Sequence, residues 1–334
     1  MRVLHLVGSP TSDFFVDLSL VYARGCLTAT ADPTRYDVVI ALVQPDGRWR
    51  FPAELSPAGI AAAEPVGQGA ALSHLADLQV DVAVPQLFCR PGMTTYRSLL
   101  DLLGIPFVGN PPDVMALTAH KARAKAVVSA AGVAVPGGEV LQPGQPPTLA
   151  LPVVIKPVDG DNSVGTSLVR SASNLAGALS DAFLHSDEVL VESYVELGRE
   201  VRCGVLERAG ELVCLPLEEY AVSSIRGAAD KLRLTDGGVE LVAKQASRAW
   251  IVDDADPVTG VVWDAALSCH RALGCRDHSL FDFRIDPGGR PWFLEAGLYC
   301  SFSPSSVVPT MAAAAGLSLA DLYAEQLARA VSRG

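Results

Sequence analysis

The chain lacks the features that mark several classes of protein. Its 334 residues contain no run of about 18 uninterrupted apolar residues, the length that a membrane-spanning helix needs. It also lacks a cationic surplus, because 26 basic residues stand against 37 acidic ones and the net charge is −11. Its seven cysteines are scattered, with no Cys-x-x-Cys pair. We therefore expect a cytoplasmic protein with reduced cysteines that binds neither membrane nor nucleic acid.

The sequence does contain enough apolar residues for more than one core. Hydrophobic residues make up 49% of the chain, which excludes intrinsic disorder, and the length predicts two or three packed lobes. Short apolar strands recur at βαβ spacing through residues 1–110, a pattern typical of a small parallel α/β lobe. Beyond a linker rich in Pro and Gly at 136–147, short strands joined by glycine turns predict antiparallel hairpins.

One of these hairpins predicts a metal site. Gly288 and Gly289 favour a two-residue turn, which sets Asp282 opposite Glu295 on the neighbouring strand. Two like charges on one face destabilise a sheet unless something offsets them. Oxygen ligands with no His or Cys beside them favour Mg²⁺ or Mn²⁺, and hence a nucleotide phosphate. The alternative is that both carboxylates lie on a solvated face, but the aromatic residues around them favour burial and the metal site.

A second signal is a lysine inside an apolar strand. Lys156 follows Val-Val-Ile and precedes a small polar loop at 159–166. A buried lysine needs an anionic partner, and such a loop can direct backbone N–H groups at phosphate oxygens. The segment is not a P-loop, since it has no Gly-Lys-Ser/Thr sequence and no helix follows it. Taken alone, the loop is more typical of a plain β-turn.

Three further patterns are less specific. Lys121 and Lys125 are four residues apart and share a helical face, which is usually solvated. Glu192 is the single carboxylate of an apolar strand, where it could accept hydrogen bonds from an adenine amine or ribose hydroxyls, or merely end the strand. The polar stretch 223–238, which includes Lys231, predicts a flap over a site.

Taken in order, these blocks resemble the ATP-grasp superfamily, and most closely its D-alanine:D-alanine ligase-like branch. The blocks are LLGIPFVG at 102–109, VIKP at 154–157, NSVG at 162–165, LEA at 294–296 and SSVVP at 305–309. The resemblance implies an α/β (α+β) ATP-grasp fold with ATP between two antiparallel sheets. Its three lobes would be an N-terminal parallel α/β lobe at 1–110, a central lobe at 111–195, and a C-terminal lobe at 196–334 with the metal site and flap.

The resemblance also implies a set of site residues, with ATP and Mg²⁺ or Mn²⁺ as cofactors. Lys121 and Lys156 are implied for the ATP phosphates, and Ser163 and Gly165 for the loop that covers them. Glu192, followed by Glu200, is implied for the adenosine end. Those implied for magnesium are Asp282 and Glu295. Those implied for catalysis are Lys231 in the flap, Arg284, and Ser306, which would hold the carboxylate of the second substrate.

Departures from the family pattern lie around the substrates. Gly297 stands where the family has an asparagine that binds metal, and Leu280 where it has an arginine that stabilises the developing oxyanion. Arg284 shares the strand face of Leu280 by parity and is our substitute for that arginine. The histidine-and-acid motif around the first D-alanine is absent from 86–96, and the early glutamate aligns near Phe15. Nucleotide chemistry is kept, while the pocket for the first substrate is rebuilt.

A narrower resemblance is to the ligase of the mycosporine-like amino-acid pathway. It is carried by LHLVGS at 4–9, ATADP at 29–33, WRFP at 49–52, PLEEY at 216–220 and FLEAGLYCSF at 293–302. It implies an ADP-forming ligase that joins an amino acid, serine or threonine, to mycosporine-glycine. The alternatives are a D-alanine:D-alanine or other dipeptide ligase, and an ATP-binding protein that has lost catalysis. The expected partners are these small molecules and, from the family, a second copy of the chain.

Overall fold

Three large β-sheets and the helices on their faces form the framework of the chain in the computed structural model. The structure describes residues 1–160, 162–227, 232–235, 238–241 and 248–334, with only the backbone described at 232–235 and 238–241. The mixed α/β architecture with antiparallel sheets is the one that the sequence predicts.

The first sheet is mostly parallel. Its elements are β1 (Arg2–Gly8), α1 (Asp13–Ala29), β2 (Asp37–Val43), β3 (Trp49–Arg50), α2 (Pro57–Ala62), α3 (Gln68–Asp77), β4 (Val82–Pro85), α4 (Arg90–Met93) and α5 (Thr95–Leu102). The strand order is β3-β2-β1-β4, and β1 runs parallel to both of its neighbours. Its central strand is apolar along most of its length because helices cover both faces of such a sheet. The βαβ spacing predicted this arrangement.

The second sheet is antiparallel and has its own apolar core. It follows two helices, α6 (Pro112–Ala119) and α7 (Lys121–Ala130), and its elements are β5 (Gly138–Leu141), β6 (Val153–Pro157), β7 (Ser167–Val169), a 3₁₀ turn (Ala172–Asn174), α8 (Leu175–Phe183) and β8 (Val189–Ser193). The order is β5-β8-β6-β7. Among the described residues, its buried apolar cluster lies between Leu141 and Val191, so this sheet and its helix share a core that is separate from that of the third sheet.

The third sheet is the largest. Its elements are β9 (Arg199–Arg208), β10 (Glu211–Cys214), β11 (Glu218–Tyr220), β14 (Ala249–Ile251), β15 (His278–Ile285) and β16 (Pro291–Ala296), and a separate hairpin is formed by β12 (Leu232–Thr235) and β13 (Gly238–Leu241). The order is β14-β11-β9-β15-β16, with β10 also on β9. The helices are α9 (Pro257–Leu273), α10 (Val307–Ala314) and α11 (Leu319–Val331).

Local signals explain the bounds of α9. Asp256 caps its first turn by accepting a hydrogen bond from the Val258 amide, and Gly274 ends it in the left-handed region at φ +69°. Buried residues of α6, α7 and α9 share one apolar cluster with the third sheet. The helices at 112–130 therefore pack on the third sheet, and the lobe boundaries stay predictions.

No single helix in the described ranges is both long and apolar enough to cross a membrane. Helices α10 and α11 satisfy that test only when they are taken together, and they meet at a bend of 113°.

The hairpin β15–β16 confirms one prediction and corrects its reason. Asp282 does lie opposite Glu295. The turn, however, is not the two residues Gly288 and Gly289, because the last pair is Ile285 with Pro291 and leaves a five-residue loop. The register then shifts between Asp282 and Phe283, so that β16 carries one extra residue, Leu294. This β-bulge restores the predicted pair.

We expect the core beneath the third sheet to depend on single methyl groups of α9. Val262 is fully buried and Val261, its neighbour, is 46% exposed. Val262→Ala should lower the free energy of unfolding by about 2 kcal/mol, because two buried carbons are lost and a cavity is left. Val261→Ala, the matched control, should leave stability unchanged or slightly higher, since alanine favours helix. Equal urea-unfolding midpoints for the two variants would contradict this account of the core.

Candidate active site

The carboxylates Asp282 and Glu295 lie side by side on the same face of the third sheet. Asp282 is flanked on its other side by Arg202 of β9, which pairs with it in register. The Arg202 guanidinium donates to both oxygens of that carboxylate, at 2.5 Å and 3.1 Å. Lys121 Nζ lies 3.6 Å from Glu295 Oε2. The repulsion between the two carboxylates is thus offset by cations from β9 and α7.

The chemistry of this donor set fits magnesium only in partnership with phosphate. Magnesium is usually held by one or two carboxylates, together with phosphate oxygens and water. Asp282 and Glu295 supply two adjacent carboxylates, and Gly297 adds no side-chain oxygen. Across the described residues no group of three or more His, Cys, Asp or Glu side chains is arranged to hold a metal ion. The pair therefore fits a metal shared with a phosphorylated ligand, not a site built from protein alone.

Behind this pair lies a buried triad of two lysines and one glutamate. Glu192 Oε1 is 2.8 Å from Lys125 Nζ, and Oε2 is 2.5 Å from Lys156 Nζ. Burial lowers the pKa of Lys125 to about 8, against the opposing effect of the Glu192 carboxylate. Burial by itself would raise the pKa of Glu192, but the two lysines hold it below its ordinary value. Lys156 therefore has the anionic partner that its apolar strand requires.

Sequence reasoning placed Lys125 on a solvated face, and this was wrong. Its side chain is buried, and Nζ also donates to the backbone oxygen of Phe293 at 2.9 Å. The only signal in the sequence was its spacing of four residues from Lys121. Its carboxylate partner lies on a distant strand, which that spacing cannot reveal.

Two cavities meet at the carboxylate pair. The intersheet cavity lies between the second and third sheets; its walls include Lys156, Ser163, Glu192, Glu200 and Arg284. The Ser306 cavity lies beside it, and its walls include Tyr22, Phe88, Leu280, Tyr299 and Ser306. The residues that line both cavities are Lys121, Gly160, Arg226, Asp282 and Glu295. The two cavities therefore adjoin at a set of residues that includes the carboxylate pair.

The structure does not bring Arg284 to the place for which the sequence proposed it. Arg284 shares the strand face of Asp282, as parity predicts, but it lines the intersheet cavity and pairs with Glu200 at 2.7 Å. The Ser306 cavity, where Leu280 lies, is instead lined by two arginines that the sequence analysis did not single out as catalytic, Arg202 and Arg226. They come from β9 and from the segment after β11.

Of the two residues predicted in the loop after β6, Ser163 lines the intersheet cavity and Gly165 does not. Ser163 lines the intersheet cavity with φ +59°, whereas Gly165, at φ +68°, is not among the residues that line it. A Cβ on Gly165 would come within 2.8 Å of the His185 ring, so the glycine serves the close approach of the chain. Lys121 Nζ donates to the Gly160 carbonyl of the same loop. Lys231 lies outside the described residues.

Ser306 is buried at the wall of the cavity named after it. It is the N-cap residue of α10, and its hydroxyl is hydrogen-bonded to that of Ser301. The Ser301 carbonyl in turn accepts a hydrogen bond from Gln86 Nε2 at 2.7 Å. A hydroxyl and the first turn of a helix together favour an anionic group at this wall.

We expect the buried triad to be essential for stability. Glu192→Gln would leave the ammonium groups of Lys125 and Lys156 without their carboxylate, and should lower the free energy of unfolding by about 3–5 kcal/mol. Glu196→Gln changes an exposed glutamate three residues beyond the strand and should change it by less than about 0.5 kcal/mol. Chemical denaturation measures both. A Glu192→Gln protein as stable as the unmodified chain would show that the lysines do not need this partner.

The chain is similar to known ligases along its whole length. The family described as D-ala D-ala ligase C-terminus matches residues 145–328. The D-alanine–D-alanine ligase of Mycolicibacterium smegmatis is 30% identical over an alignment of 371 positions, gaps included, which covers 100% of this chain and 96% of that protein. The corresponding ligase of Rhodococcus erythropolis is 29% identical, with 100% and 97% covered.

Solved structures agree on the fold. The VanG D-Ala:D-Ser ligase from Enterococcus faecalis superposes with a TM-score of 0.80 at 24% identity, over 98% of this chain and 99% of that one. A D-alanine–D-alanine ligase from Bacillus anthracis, solved in complex with ATP, superposes with a TM-score of 0.73 at 19% identity over 100% of both chains. The predicted ATP-grasp fold is confirmed, and the chain belongs to the D-alanine–D-alanine ligase family of ATP-dependent, C–N bond-forming ligases.

Proposed function

We propose that this chain phosphorylates an oxygen of an acceptor molecule with ATP and then joins the carbon bearing that oxygen to an amino-acid amine, releasing ADP and phosphate. The observation that carries the proposal is the meeting of the two cavities at Asp282 and Glu295. ATP and Mg²⁺ are the cofactors of the D-alanine–D-alanine ligase family. A cytoplasmic location and a homodimer, expected from the sequence, stay predictions.

ATP would bind in the intersheet cavity with its phosphates toward the carboxylate pair. Lys156 on β6 and Lys121 at the start of α7 would bind the phosphates. Glu192 and Glu200 also line this cavity. Asp282 and Glu295 would hold magnesium, which would supply charge neutralisation for the phosphates. The γ-phosphoryl group would then lie at the boundary with the Ser306 cavity, where the acceptor binds.

The reaction follows from this placement. An acceptor oxygen attacks the γ-phosphorus, the bond to the β–γ bridging oxygen breaks, and its electron pair leaves with ADP. The amine then attacks the activated carbon, a C–N bond forms, and phosphate leaves as the amine loses a proton. Ser306 and the first turn of α10 would orient a substrate carboxylate. Such activated acceptors hydrolyse readily, so we expect water to be excluded from this region during the reaction.

The first candidate for the product is a dipeptide of the D-alanine–D-alanine type. It is supported by relatives that are named D-alanine–D-alanine ligases and that align with this chain over its full length. For this product the acceptor oxygen belongs to a carboxylate, and the activated intermediate is an acyl phosphate.

The second candidate is the coupling of serine or threonine to mycosporine-glycine. The observation that favours it is the apolar and aromatic lining of the Ser306 cavity, which includes Tyr22, Phe88, Leu280 and Tyr299. Aromatic and aliphatic walls suit a flat conjugated ring better than they suit a small zwitterion. For this acceptor the activated atom is the ring-carbonyl oxygen of a vinylogous amide.

One product assay separates the candidates. The purified chain is incubated with ATP and Mg²⁺ and with D-alanine alone, with D-alanine and D-serine, or with mycosporine-glycine and a mixture of amino acids. We expect a new C–N adduct together with one ADP per product, measured by liquid chromatography and mass spectrometry. A D-Ala dipeptide establishes the first candidate, and an ultraviolet-absorbing adduct establishes the second. ATP binding without ADP in any mixture would contradict the ligase proposal for these substrates.

Glu295→Gln tests the carboxylate pair. We expect ADP formation to fall at least about 100-fold, because the amide cannot supply the charge that magnesium and the phosphates require. Glu211→Gln, an exposed change on β10 of the same sheet, is the control and should retain the full rate. Circular dichroism melts verify that both variants fold. Full turnover by folded Glu295→Gln would rule out this residue as a metal ligand.

A further inference from the structure

Arg226 is a buried cation at the junction of the two cavities. It lines both of them and is only 8% exposed. Its guanidinium lies over the ring of Tyr220, with the Cζ atom 3.9 Å from the ring centroid. The Tyr220 hydroxyl is itself fixed by a hydrogen bond to Glu218. The side chain is therefore held by stacking on an anchored ring.

The carboxylates near Arg226 are too distant for hydrogen bonds. Among the described residues, its approaches to carboxylates are 3.9 Å to Glu200 and 4.0 Å to Asp282, and its Nε has no hydrogen-bond partner. Both of those carboxylates are already engaged at short range: Asp282 by Arg202, and Glu200 by Arg284 at 2.7 Å. Arg226 thus adds a positive charge to a buried place where the nearest carboxylates of the described side chains are paired with other arginines. A guanidinium in such a position favours an external anion.

The position identifies which part of the substrates that anion belongs to. The other charged side chains that line both cavities are Lys121, Asp282 and Glu295, and these surround the point where a group passes from one cavity to the other. In phosphoryl transfer the charge spreads over the oxygens of the moving group, and a planar guanidinium can donate two parallel hydrogen bonds to them.

We propose that Arg226 binds the γ-phosphoryl oxygens while the group passes from ATP to the acceptor. This inference rests on the proposed function, since it requires ATP in the intersheet cavity. The bond from γ-phosphorus to the bridging oxygen breaks, the electron pair goes to ADP, and the acceptor oxygen forms the new bond. Arg226 keeps its protons throughout and acts by stabilising charge. Tyr220 is the positioning residue that aims the guanidinium.

A binding experiment tests this without knowledge of the acceptor. The dissociation constant of ADP with Mg²⁺ is measured by calorimetry, with and without aluminium fluoride, which mimics the transferring phosphoryl group. The variants are Arg226→Gln and Arg226→Lys. The control is Arg290→Gln, because Arg290 also stacks on an aromatic ring, that of Trp292 at 4.5 Å, but is exposed and lines neither cavity.

We expect aluminium fluoride to tighten ADP binding at least about 10-fold in the unmodified chain and in Arg290→Gln. The reason is that a hydrogen-bond donor such as the Arg226 guanidinium binds more strongly to a mimic of the charged transferring group. Arg226→Gln should lose this gain and keep its affinity for ADP alone, and Arg226→Lys should recover part of it. Retention of the gain by Arg226→Gln would overturn the inference. A lack of any gain in the unmodified chain would overturn it as well.

Kinetics distinguish this role from acceptor binding. With the substrates found in the product assay, Arg226→Gln should lower kcat for ADP formation by about 100- to 1,000-fold with little change in the KM for ATP. A raised KM for the acceptor at unchanged kcat would instead make Arg226 a substrate-binding residue and refute the proposal. If the unmodified chain forms no ADP with any acceptor, the proposed function fails, and the fluoride measurement still decides the role of Arg226.

Discussion

Two carboxylates held opposite each other on neighbouring strands are the constraint on which the rest of the site depends. Backbone pairing fixes Asp282 and Glu295 on one face, so that their repulsion cannot be relieved by movement of the strands. Cations from two separate elements offset this repulsion: Arg202 pairs with Asp282 from β9, and Lys121 lies near Glu295 from the first turn of α7. A chain of net charge −11 therefore concentrates positive charge where nucleotide phosphates would lie.

The charges around this pair form a ladder across the third sheet. Along β9 and β15, Arg202 faces Asp282 and Glu200 faces Arg284, so the sign alternates both along and across the strands. Each of these four ions has a counter-ion in register, which reduces the cost of removing it from water. Arg226 lies outside this ladder: its guanidinium stacks on Tyr220, and its approaches of 3.9 Å to Glu200 and 4.0 Å to Asp282 are longer than those of the paired arginines. That difference distinguishes a charge available to a ligand from charges committed to the sheet.

Sequence predicted the fold well because its elements carry local signals. The βαβ spacing and the short strands joined by glycine turns both depend on residues close together in the chain. The pair of Asp282 and Glu295 was also predictable, although its turn was not. Lys125 was not predictable, because its partner Glu192 is brought to it by the pairing of distant strands. Arg226 was not predictable either, because the two cavities that it lines are formed by segments distant in the chain, which no local sequence pattern reveals.

The bulge at Leu294 couples two distant parts of one hairpin. The loop between Ile285 and Pro291 shifts the register by one residue, and the extra residue of β16 shifts it back before Glu295 is reached. The length of the loop and the bulge therefore have opposite effects on the register, and together they leave Asp282 opposite Glu295. Loss of one residue from the loop alone would present Asp282 to a different neighbour. In an alignment of related chains that keep the same loop conformation, a one-residue gap in this loop should be matched by loss of the bulge residue at Leu294, or the carboxylate pair is lost.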